Sequence, residues 1–129
     1  MKPKKVIKHV MKEINAIKKH ATKEQIDKLN FKELRPSEYN NCIYGQMTGN
    51  CESKASLKLI RKCCTRTVDA IGDLFQGSYT ASRSKRTNEN FSLLERFIYM
   101  ESQNNEDIIA YLRGEKKELE LTIETEWKN

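Results

Sequence analysis

The chain has 129 residues, enough for one hydrophobic core and too short for two domains. Apolar residues are 37% and charged residues 33%, so a lean core must lie under a heavily charged surface, and no apolar run reaches the roughly 18 residues of a membrane span. The net charge of +6 is polarised: residues 1–35 hold eleven Lys/Arg against four Asp/Glu, residues 36–94 eight against five, and residues 95–129 five against nine.

The first segment reads as an amphipathic helix. Ile7, Val10, Ile14, Ile17 and Ala21 recur at spacings of three and four, and Lys4, Lys5, Lys8, Lys12, Lys18 and Lys19 fill the other face. Lys8 and His9 interrupt Val6–Met11, so this is no signal-peptide core. Thr22 and Gln25 have the spacing of a capping box for a short second helix through Ile26 and Leu29. Arg35-Pro36 should stop the helical run, and Ser37 is placed to cap a third short helix leading into Cys42.

Gly45 and Gly49 weaken any helix through the next stretch, and Thr48-Gly49-Asn50 reads as a turn. Asn50 or Ser53 then caps a helix carrying Ala55, Leu59, Ile60, Cys63 and Cys64. A further helical piece offers Val68, Ile71, Leu74 and Phe75. Residues 77–90 have no apolar period and read as a flexible basic loop. Asn90 is a candidate cap for a helix with Leu94, Phe97 and Ile98, and Asn105 for a last one with Ile108, Ile109 and Leu112, stopped by Gly114. Over residues 115–129 the period changes to two. Leu119, Leu121, Ile123, Thr125 and Trp127 alternate with carboxylates and Thr122, which predicts a C-terminal β-strand. A lone strand leaves backbone groups unpaired, so it should seek the Cys42–Thr48 segment or a second chain, and the expectation is a homo-oligomer.

The four cysteines follow C-x8-C-x11-C-C, without the close pairs that aim two sulfurs at one ion. They read mainly as buried thiols, with zinc or a disulfide as alternatives, in a reducing cytoplasm; no metal or cofactor is expected. His9 and His20 would be the bases for a cysteine nucleophile, and two surface histidines explain them equally well. No phosphate loop, zincin or nucleophile-elbow motif is present, so the expectation is a protein that is not an enzyme.

Two segments carry binding chemistry. Lys4, Lys5, Lys8 and Lys12, with Arg83, Lys85 and Arg86 in the loop, suit phosphate contacts, and Tyr79 offers a ring for stacking. Tyr44, Gln46 and Thr48, which lie with Gly45 and Gly49 between two cysteines, would form a recognition loop for a protein partner, although a turn whose Tyr and Met fill the core is the plainer reading. The fold expected is mainly α: a small helical bundle of one domain, 1–129, with a C-terminal strand. The function expected is a small non-enzymatic binding protein that engages nucleic acid or a nucleoprotein, in the general style of phage or mobile-element accessory proteins, with no membrane partner. The alternative is an inhibitor of a host or defence enzyme, of the anti-CRISPR kind, acting through Tyr44–Thr48 or the acidic tail.

Overall fold

The lysine-rich first segment becomes a long helix because its apolar residues return every three or four positions. Its one proline stands at the first helical residue, where the missing N–H costs nothing. In the computed structural model, which describes residues 3–35, 38, 40–66, 92–125 and 127, this is α1 (Pro3–His20). After it come α2 (Lys23–Asp27), a 3-10 turn (Phe31–Glu33), α3 (Ile43–Thr48), α4 (Lys54–Cys63), α5 (Leu93–Met100), a second 3-10 turn (Ser102–Asn104) and α6 (Asn105–Leu112). The described residues form one mainly helical domain. α1 is its axis and lies against α4, α5 and α6, while α3 joins α4 to α2.

Val6, Val10, Ile14 and Ile17 are sealed on one side of α1, against Leu59 and Cys63, Leu94 and Phe97, and Ile108 and Leu112 of the surrounding helices. Several helix ends follow from local sequence. The Thr22–Gln25 capping box is closed in both directions, at 3.1 and 2.9 Å. Ser53 caps α4, and Gly114 takes a positive φ of 80° just past α6. The cap of α5 is Ser92, whose box partner is Glu95; Asn90 lies outside the described residues. Asn105 sits inside α6, and its amide donates to the Ile98 carbonyl at 3.2 Å instead of capping. The expected helical piece at 68–75 and the loop at 77–90 also fall outside the described residues.

Two expectations are corrected. The stretch through Gly45 is helical. Cys42 supplies the cap through its sulfur, which accepts from the Gly45 N–H at 3.3 Å, and burial of Ile43, Tyr44 and Met47 outweighs the glycine's weak helix propensity. Ser37, expected to cap this region, is not among the described residues. Nor does the C-terminal segment form a β-strand: no strand occurs among the described residues, and 115–125 is tail without ladder pairing. Its period of two is nonetheless real, since Leu121 and Trp127 are buried and Leu119 and Ile123 are half-buried while Glu118, Glu120 and Glu124 are exposed.

What satisfies the tail's backbone is side chains. Asn104 clamps one peptide unit, accepting from the Thr122 N–H and donating to the Thr122 carbonyl, both at 2.9 Å. Glu101 accepts from the Glu124 N–H at 2.7 Å, the Thr125 N–H at 3.2 Å and the Trp127 indole N–H at 2.8 Å. The Trp127 ring stacks on Phe97, with centroids 6.3 Å apart. These bonds satisfy the Thr122, Glu124 and Thr125 main chain without a neighbouring strand.

Candidate nucleic-acid interface

At about 100° per residue, Lys4, Lys8, Lys12, Lys19 and Lys5 fall within an arc of about 100° on α1, directly opposite its buried stripe. All five are exposed. The row from Lys4 to Lys19 is about 22 Å long, at 1.5 Å per residue. The only acid of α1, Glu13, is buried on the other side, so no carboxylate of this helix interrupts the row. Lys18 leaves it: its ammonium donates to the Tyr111 carbonyl at 2.7 Å and lies 4.9 Å from the centre of the Tyr111 ring, pinning α1 to α6. His9 registers the field of the row. Its pKa is pushed below the ordinary histidine value by partial burial, then by Lys5, Lys8 and Lys12.

A second basic row lies on α4. Lys54, Lys58, Arg61 and Lys62 are exposed at spacings of four, three and one, opposite Ser56, Leu59 and Cys63, and α4 contains no acid. The cysteines of the same segment draw attention away from this row in the sequence, although its basic spacing is the signal that marks α1. Since α4 packs on α1, neighbouring helices each turn a basic face to solvent.

The remaining expected residues divide. Lys4, Lys5, Lys8 and Lys12 belong to the α1 row, whereas Tyr79, Arg83, Lys85 and Arg86 lie outside the described residues. The Tyr44–Thr48 segment is not an exposed loop. Tyr44 is buried, and its hydroxyl donates to Glu13 at 2.7 Å. The Gln46 amide clasps the Asn30 backbone at both ends, each at 2.9 Å, and the Thr48 hydroxyl donates to the Tyr44 carbonyl at 2.7 Å. All three side chains are committed to their own chain, because α3 places them toward the 29–31 turn and the core.

Glu13 anchors α1 from below. It accepts from the Ser92 hydroxyl at 2.5 Å, the Tyr44 hydroxyl, and the Leu94 N–H at 3.1 Å. Burial lifts its carboxyl to about pH 7, against the pull of these three donors. Glu95 knits the same junction, accepting from the Ile43 and Ser92 N–H groups at 3.1 and 3.3 Å. None of the four cysteines is in a disulfide, and no cluster of three or more His, Cys, Asp or Glu suited to a metal occurs among the described residues. Burial and then Glu13 push the Cys63 thiol up to about 11, so it is protonated at neutral pH and a poor nucleophile. Replacing it by Ser should destabilise by about 1–3 kcal/mol, measured by urea unfolding, because the site gives a hydroxyl little to bond. A change within about 0.5 kcal/mol would show that the pocket readily accommodates it.

No helix among the described residues is long and apolar enough to cross a membrane. No protein family, curated protein or solved structure matches the chain.

Proposed function

We propose that this is a small non-enzymatic binding protein that engages nucleic acid, or a nucleoprotein, through the basic faces of α1 and α4. The observation that carries this reading is the row of exposed lysines on α1 with its one carboxylate turned into the core. Each strand of a duplex carries one phosphate per about 3.4 Å of helix axis, so a row of about 22 Å meets several of them. Lysines on a helix neutralise charge without fixing bidentate geometry, so binding is electrostatic and largely indifferent to base sequence.

Retention on duplex and single-stranded nucleic acid should fall steeply with salt. Replacing Lys5, Lys8 and Lys12 together by Ala should weaken binding and reduce the logarithmic salt slope by up to about 3, close to one for each phosphate left without its lysine. The same change at Lys58, Arg61 and Lys62 tests the α4 row, and at Arg83, Lys85 and Arg86 the segment beyond the described residues. No retention of the intact protein at low salt would end this reading. His9 gives an independent readout. Phosphates that neutralise Lys5, Lys8 and Lys12 should raise its pKa, followed by its ring proton shifts in an NMR titration. A His9 pKa unmoved by saturating nucleic acid would take α1 out of the interface.

A further inference from the structure

The seat of the C-terminal tail is built like a receptor. Four bonds to Thr122, Glu124 and Thr125 engage main-chain groups, which any extended peptide presents, and the Thr125 hydroxyl adds a bond to the Met100 carbonyl at 3.0 Å. Gln103 adds a donor to the Thr122 carbonyl at 3.2 Å. The side chains that reach furthest into the seat are Leu121, which is buried, and Trp127, whose ring meets Phe97 and whose N–H meets Glu101. Backbone capture with pockets for particular side chains is the logic of extended-peptide recognition.

The seat also stands without its occupant. α5 carries its own capping box, and its Leu93, Leu94 and Ile98 are buried in the same core as Val6, Val10, Ile14 and Ile17 of α1. When the tail leaves, Glu101, Gln103 and Asn104 pass to water and no polar atom need be orphaned. The tether is equally permissive. The last contacts before the tail are the Glu115 and Lys116 N–H groups on the Ala110 carbonyl and the Lys116–Asp107 ion pair at 3.1 Å. Lys117, Glu118 and Glu120 beyond them are exposed.

We propose that the groove along α5 and the Ser102–Asn104 turn is a binding site for an extended peptide with an aliphatic residue and, six positions on, a tryptophan, and that its ligand in trans is the tail of a second copy of this chain. Within one chain the tail holds its seat through a high effective concentration, on the order of millimolar for a short tether. Exchange of two tails produces a symmetric pair with every groove contact preserved.

The test uses the full chain with a specific protease site inserted between Lys117 and Glu118, cut after folding. A fluorescent peptide of residues 118–129 should then replace the severed tail, with a dissociation constant on the order of micromolar. The same peptide with Trp127→Ala should bind at least about 30-fold more weakly, the loss expected of a buried aromatic anchor. The substitution sits in the peptide, so folding of the chain is not at stake. Failure of the cut chain to take up the peptide, or equal binding of the Trp127→Ala peptide, would overturn the site. Two differently tagged, uncut chains concentrated together should form mixed pairs that excess peptide dissolves. Absence of mixed pairs would overturn the second copy as the ligand.

Discussion

Raising the pH from 4.5 to above 7 should destabilise the protein by about 3 kcal/mol through Glu13 alone, and Glu13→Gln should remove that slope. The carboxyl titrates at about 7 in the fold and near 4.5 when exposed. Between these values the folded state holds a proton that the unfolded state has lost, so stability falls as the pH rises. The contribution is complete below 4.5 and is lost as the pH passes 7. The groups that face Glu13 are Ser92, Leu94 and Glu95 from the α5 end, Tyr44 from α3, and Cys63 from α4. Glu95 pushes the pKa the same way as burial, and the donors pull it back. Glutamine fits the site, since its carbonyl can accept from Leu94 and its amide can donate to the two hydroxyls, which accept as well as donate. Urea midpoints at pH 5, 6, 7 and 8 measure the effect. An equal slope in Glu13→Gln would assign it elsewhere. His9, with its lowered pKa, works in the opposite direction just below 6.5, so the difference between wild type and variant is the quantity to read.

Trp127→Ala should free the tail while leaving the helical core intact. Removing a buried tryptophan typically costs about 3–5 kcal/mol, but a strap at the surface can detach instead of leaving a cavity. The loss of global stability is therefore capped at the strap's own binding free energy, about 3 kcal/mol or less on that scale. Hydrogen exchange separates the two outcomes. The Thr122, Glu124 and Thr125 amides should lose their protection, and those of α1 and α5 should keep most of theirs. Equal loss in α1 would mean that the strap and the core unfold as one unit. Glu101 gives the acid-side counterpart. Burial raises its pKa, but the Glu124 N–H, Gln103, Trp127 and the Thr125 N–H together outweigh that and hold it below the ordinary carboxylate value. Its contribution is present above that value and fades as the pH falls through the folded pKa, so acid should loosen the tail.

Periodicity carries the parts of this fold that depend on burial. α1 is legible because Val10, Ile14 and Ile17 must share one face, and the tail's alternation correctly marks Leu121 and Trp127 as inward. What periodicity cannot show is which group satisfies a backbone N–H. The tail is extended without being a strand because Glu101 and Asn104, about twenty residues earlier, take the place of a neighbouring strand. Gly45 misleads for a related reason, since a sulfur cap at Cys42 and the buried Tyr44 override a local preference. Glu13 is hidden in plain view: one acid among six lysines reads as a surface charge, although its angular position beside Val6 and Ile17 places it on the core side. Of the candidate interface, the α1 row was legible from spacing, and the α4 row was equally visible but obscured by the cysteines that flank it at 51, 63 and 64.

The position of α1 in the chain has a consequence for biosynthesis. Its apolar stripe is made before α5 and α6, against which it closes and which a ribosome completes several seconds later at about 5–20 residues per second. A chain stalled before Ser92 has none of the Ser92 hydroxyl, the Leu94 N–H or the α5 apolar face. It cannot bury Glu13 on its native partners, and a charged carboxylate stays in the middle of the seam. The same residue that later ties three helices together thus holds the incomplete chain open, so that collapse around α1 waits until Ser92 and α5 have arrived.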